Sequence, residues 1–123
     1  MKLNKPKYSL LKNTTYALEG FADIVKNESS FKMQLLFFLL MGIVAWALPV
    51  KFEHSAILFV SLFIPLMAEI ANSAIERVVD LVTKDYHILA KRAKDAGATL
   101  VFFSFVILAF IWGAVLAVAF GVV

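Results

Sequence analysis

From Ala96 to Val123 the chain carries no Asp, Glu, Lys or Arg, and Met33–Val50 is equally free of them. A further uncharged run opens near Ser55 and continues to Ala68, where Glu69 interrupts it. A helix needs roughly 17–25 predominantly apolar residues to cross a bilayer. The run from Ala96 exceeds that length, Met33–Val50 just reaches it, and the middle run needs the residues around Glu69 to complete it. The expected fold is therefore all-α and integral to a membrane, a single domain over residues 1–123. Its spans fall in helices at 33–50, 55–80 and 91–121. Composition agrees, at 62% hydrophobic and 17% charged against about 45–50% and about 25% in soluble domains.

Residues 1–32 have no apolar core of the kind a signal peptide needs. They read instead as a surface helix over 8–28. Leu11, Leu18, Phe21 and Val25 fall on one face and Lys12, Glu19, Asp23 and Lys26 on another, the pattern of a helix lying in the headgroup layer. Asn13 or Thr14 could cap it, or it could begin at Tyr8–Leu11.

Positive charge sets the orientation. Lys2, Lys5, Lys7, Lys12, Lys26 and Lys32 precede the first span, and Arg77, Lys84, Lys91, Arg92 and Lys94 lie between the second and third. Only Lys51 lies between the first two. The N-terminus and the second loop are expected to be cytoplasmic, and the C-terminus external. Cysteine is absent, which excludes disulfides, thiolate nucleophiles and Cys-based zinc sites. The net charge of +3 is not gathered into a dense basic run, so no nucleic-acid partner is expected.

At the end of the middle run stands "AEIANSAIERVVD". Glu69, Asn72, Ser73, Glu76 and Asp80 share one helical face, spaced i, i+3, i+4, i+7, i+11. Such a seam could simply hold helices together. Yet a charged residue costs about 2.5–3.5 kcal/mol at the bilayer centre, and an amide would join helices at lower cost. Two glutamates with an amide between them ask for a cation or a proton. Glu28, in "KNESSFK" just before the first span, is expected at the depth of Glu76. Two carboxylates at one level suit magnesium, which favours oxygen ligands and takes the rest of its shell from water and phosphate. In "AKRAKDAG", Lys94 beside Asp95 could neutralise phosphate oxygens, and Asp85, Tyr86 and His87 could add polar contacts in the preceding turn. The chain has no Gly-rich phosphate loop, no H-E-x-x-H and no G-x-S-x-G, so P-loop, metallopeptidase and serine-hydrolase readings find no support. A small proton- or cation-coupled transporter is the alternative from another class. The clustering of acids at the cytoplasmic edge argues against it.

"NESSFK", "EIANSAIERVVD" and "AKRAKDAG", in that order around the uncharged runs, closely resemble the prokaryotic diacylglycerol kinase family, from about Tyr8 to Trp112. The resemblance implies a homotrimer of three-span subunits with sites between neighbours. Its members transfer the ATP γ-phosphoryl group to diacylglycerol at the cytoplasmic face of the inner membrane, giving phosphatidic acid. By matching motif it implies Glu69 as base with Asn72 in support, and Glu28 and Glu76 as ligands of the magnesium that accompanies ATP. Tyr16, Asp85, Tyr86, His87, Lys94 and Asp95 would meet the nucleotide. Ser9, Phe31, Gln34, Ala98 and Trp112, with Glu69, would meet the lipid. The chain departs from the family pattern at Ser9, Leu18, Lys32, Gln34 and Ala98, mostly on the lipid side. Undecaprenol or another lipid alcohol is accordingly the alternative acceptor.

Overall fold

A computed structural model describes residues 8–123. Lys2, Lys5 and Lys7, which entered the charge argument, lie outside the described residues. The described chain is all-helical: α1 (Leu10–Asn27), α2 (Ser29–Ala47), α3 (Phe52–Ser61), α4 (Phe63–Val82) and α5 (Ile88–Ala119). Among the described residues three helical segments are long and apolar enough to cross a membrane: α2, α3–α4 taken together, and α5.

The surface helix begins earlier than an Asn13 or Thr14 cap would place it. Ser9 is the N-cap, with extended backbone and no side-chain cap bond. Thr14 lies within the first turns and turns its hydroxyl back to the Leu10 carbonyl at 3.0 Å, as Thr15 does to Leu11 at 3.1 Å. Inside a helix this back-bonding gives a short hydroxyl side chain its partner. Glu28, extended at φ −108°, ψ 108°, ends α1 and starts α2 at once. Phe31, fully buried, sits edge-on to Phe21 at 5.8 Å and packs the corner.

The second span is broken rather than continuous. Pro65 has no N–H to offer the Ser61 carbonyl, and its ring crowds that turn. The chain responds at Leu62, whose N–H bonds to Phe59 at 3.1 Å, a tightened turn between α3 and α4. Ser61 turns its hydroxyl to the Leu58 carbonyl at 2.7 Å and accepts from the Trp112 indole at 3.2 Å. The break is thus tied to α5. Phe38, Phe59 and Phe63 cluster around it, with centroids 4.8–5.8 Å apart.

The α3–α4 segment is the centre of the bundle. Its most apolar window is 44% buried, against 17% for α2 and 11% for α5. Leu58, Leu62 and Leu66 supply its core. Leu39, Leu40 and Ile43 on α2 and Phe102, Phe103 and Phe110 on α5 point outward, as suits side chains facing acyl tails. Thr83 caps α4, and a short turn leads to α5, where His87 Nδ1 accepts from the Leu89 N–H at 3.1 Å.

Candidate active site

The seam on α4 faces inward where it is deepest. Glu69, Asn72 and Ser73 are 5%, 8% and 2% exposed, Glu76 is half-buried and Asp80 exposed. A buried carboxylate is costly unless hydrogen-bonded, and Glu69 is held on both oxygens. Ser30 Oγ donates to Oε1 at 2.6 Å and Gln34 Nε2 to Oε2 at 2.8 Å. Ser30 and Gln34 stand four residues apart in the first turns of α2, so they reach α4 from one face. Because an ionised carboxylate only accepts, the Gln34 amide must turn its NH2 to Glu69. Its own Oε1 is left buried without a partner.

One turn on, Asn72 Nδ2 donates to Glu76 Oε1 at 3.3 Å, while Asn72 Oδ1 is buried and unpartnered. That oxygen points at α5 where Gly97 stands. A Cβ on Gly97 would lie 2.2 Å from it and 3.3 Å from Asn72 Cγ. Glycine here is a condition for α4 and α5 to approach at the seam.

Glu28 meets α4 through Arg77. The guanidinium donates to Glu28 Oε1 from Nε at 3.2 Å and from Nη2 at 3.0 Å, and its Nη1 pairs with Asp23 of α1. That hydrogen bond from Arg77 holds the Asp23 carboxyl below the usual carboxylate range. Arg77 directly follows Glu76 in the chain, so Glu28 lies at that level of the bundle, on the Arg77 side of α4. Glu28 and Glu76 each keep one oxygen, Oε2, without a hydrogen bond among the described residues. Carboxylate oxygens are the ligand type a hard cation such as magnesium takes, but among the described residues no group of three or more His, Cys, Asp or Glu side chains is gathered to hold a metal ion.

Further out, a cleft of ≈ 370 Å³ opens between the end of α4 and the start of α5. It gathers Asp85, Tyr86, His87, Lys94 and Asp95, together with Asp80 and Lys91. Four of its charges are paired, Lys94 with Asp80 at 2.7 Å and Lys91 with Asp95 at 2.5 Å, while Lys84 and Asp85, which also line it, form no ion pair among the described residues. The cleft lies beside the seam, sharing Asp80 with it, so an anion could exchange with these exposed pairs at little cost.

The remaining sequence candidates stand apart from this cluster. Tyr16 is exposed on α1, three turns before Glu28, and Ser9 caps that helix. Phe31 is enclosed at the α1–α2 corner. Ala98 is exposed beside Gly97 on α5. Trp112 bonds Ser61, about 25 Å along α5 from Asp95 at about 1.5 Å per residue. Sequence reading missed Ser30 as a partner of Glu69 and Arg77 as a partner of Glu28. Ser30 lay inside the quoted "NESSFK", and Arg77 passed as ordinary positive charge at a membrane edge.

Over residues 15–116 the chain matches the family described as prokaryotic diacylglycerol kinase. It is 36% identical to a diacylglycerol kinase of Haemophilus influenzae, covering 87% of this chain and 91% of that one. It is 32% identical to proteins of the same name in Pseudomonas aeruginosa, over 87% of both chains, and in Escherichia coli, over 91% of this chain and 92% of the other.

Proposed function

The chain belongs to the prokaryotic diacylglycerol kinase family, and from that premise we propose that it transfers the ATP γ-phosphoryl group to the primary hydroxyl of diacylglycerol, giving phosphatidic acid. It is a membrane-embedded lipid kinase. The observation that carries the reading is the continuity of the polar seam: a buried, doubly held Glu69 leads through Asn72 to Glu76 and on to a charged cleft.

The depth of each group suits two substrates from two phases. Measured from Phe52 at about 1.5 Å per residue, Glu69 lies about 26 Å along the second span and Glu76 about 36 Å. A hydrocarbon core is about 30 Å thick. Glu69 therefore sits just inside one edge, where a lipid's hydroxyl comes to rest, and Glu76 sits outside it, where water and nucleotide are.

Phosphoryl transfer needs positioning and charge neutralisation more than covalent help. Glu69 accepts the proton of the acceptor hydroxyl, within hydrogen-bond reach of the attacking oxygen. Asn72 links Glu69's turn to Glu76 and keeps the two carboxylates in register. Lys94 turns from Asp80 to the phosphates, and Asp95, Asp85, Tyr86 and His87 wall the nucleotide. Glu28 and Glu76 hold magnesium, which when bound neutralises the phosphate oxygens. That the site lies between neighbouring subunits of a homotrimer is part of this reading and is drawn from the family. The enzyme lies in the bacterial inner membrane with its site at the cytoplasmic face.

Purified protein in mixed micelles with γ-labelled ATP and short-chain diacylglycerol tests this directly. Labelled phosphatidic acid is expected, dependent on magnesium. Glu69→Gln removes the proton acceptor and should lower kcat by about 100-fold or more, the range of general-base contributions, with nucleotide binding intact. Near-normal turnover by Glu69→Gln would exclude it as the base.

A further inference from the structure

Glu69 is the proposed base, yet both its oxygens are already engaged, and the two partners differ. Gln34 is half-buried and gives its NH2 to Oε2 while leaving its own Oε1 buried and unpaired. An orphaned amide oxygen costs about 1–3 kcal/mol, so the residue's contribution lies in what it does to Glu69. Ser30 is exposed, and its contact is an alcohol O–H donating to Oε1 at 2.6 Å. That is the group, the bond and the length with which a lipid's primary alcohol would present itself to the base. Glu69 itself is 5% exposed, and of its two partners Ser30 is the exposed one.

We propose that Ser30 is a place-holder for the acceptor alcohol: its hydroxyl occupies Glu69 Oε1 until the lipid hydroxyl displaces it, while Gln34 keeps Oε2 and the orientation of the carboxylate throughout. This rests on the kinase reading above and deepens it. A serine hydroxyl swings away by one χ1 rotation between staggered wells, whereas the longer, half-buried amide is held to Glu69 Oε2 at 2.8 Å. The displaced bond is charge-assisted, so it weighs against the lipid by the free energy of a hydrogen bond to a charged group. Ser30 is thus an affinity-setting residue for the acceptor, and Gln34 a positioning residue for the base.

The two roles separate in steady-state kinetics with the full chain in mixed micelles, varying short-chain diacylglycerol at saturating magnesium-ATP. Ser30→Ala removes the competing hydroxyl and should lower the lipid KM by about tenfold or more while the KM for ATP stays put. Ser30→Thr keeps the hydroxyl and should restore the wild-type lipid KM. Gln34→Leu frees the carboxylate to rotate and should lower kcat by about tenfold or more with little change in lipid KM. A lipid KM that stays the same or rises in Ser30→Ala would overturn the place-holder role, and a wild-type kcat in Gln34→Leu would overturn the positioning role. Should the wild-type chain phosphorylate no lipid alcohol in this assay, the kinase reading fails and this inference with it. Wild-type turnover with an unmoved KM in Ser30→Ala sinks the inference alone.

Discussion

Asn72 shows how a single residue can be read for its type and still surprise in its contacts. Its place between two glutamates marked it as functional, and it bonds Glu76. Its other end presses on Gly97, where a Cβ would stand 2.2 Å from Oδ1. Gly97 was legible only as the end of a basic motif, because close approach between two helices leaves no trace in either segment alone. Gly97→Ala should push the Asn72 amide off Glu76 and cost about 1–3 kcal/mol, the usual range for overpacking. Thermal unfolding in detergent should show it as a lowered midpoint. In an Asn72→Ala background the clash has no partner, so most of the penalty should vanish, the non-additivity expected of residues in contact. Equal penalties in both backgrounds would mean that the amide is not what Gly97 makes room for. Ser30 and Arg77 escaped sequence reading for a related reason. Each meets its partner across 39 to 54 residues of chain, and their types, a serine and a membrane-edge arginine, are common in unpaired roles.

At the scale of elements, the uncharged runs located the spans because excluding charge from hydrocarbon is the strongest demand on the sequence. They were poorer guides to where helices start. α2 begins at Ser29 and α5 at Ile88, ahead of the apolar stretches, since a helix is bounded by hydrogen-bond partners rather than by hydropathy. The break at Leu62 was written in Pro65, yet hydropathy passes over a proline in an apolar run. The surface helix α1 has no buried residue and is fastened through Arg77 to Asp23 and through the Glu28 corner. Removing the guanidinium should loosen it. Arg77→Ala is expected to speed backbone hydrogen exchange across residues 10–27 while leaving α3–α4 unchanged, and Asp23→Asn should do so less, since Arg77 then keeps Glu28. The pairs are exposed, so the effect should shrink in high salt. Its pH dependence has a definite sign. Asp23 has its folded-state pKa lowered by the Arg77 bond, so its contribution is complete above the ordinary carboxylate value of about 3.9 and disappears only in stronger acid. Exchange over α1 that is insensitive to Arg77→Ala would show that lipid contacts alone hold the helix.

For the whole molecule, the lengths of the helices fix how it sits. At about 1.5 Å per residue α5 is about 48 Å long, well beyond a hydrocarbon core of about 30 Å. Its charged first turns, with Lys91, Arg92, Lys94 and Asp95, must therefore emerge on the side where α4 also emerges with Glu76, Arg77 and Asp80. Lys51, the N-cap of α3, and Glu53, in the first turn of that helix, lie at the opposite end. In the proposed orientation, which follows the excess of Lys and Arg, the cleft and the surface helix face the cytoplasm. Absence of cysteine makes this simple to check, because any introduced thiol is the sole one. Glu19→Cys on α1, Glu53→Cys in the first turn of α3 and Lys84→Cys in the α4–α5 turn all fall on exposed positions. In intact cells permeabilised only at the outer membrane, an impermeant maleimide should label Glu53→Cys and spare the other two until the inner membrane is broken. Labelling of Lys84→Cys from outside would put the charged cleft on the side without ATP, and the proposed reaction could not occur there.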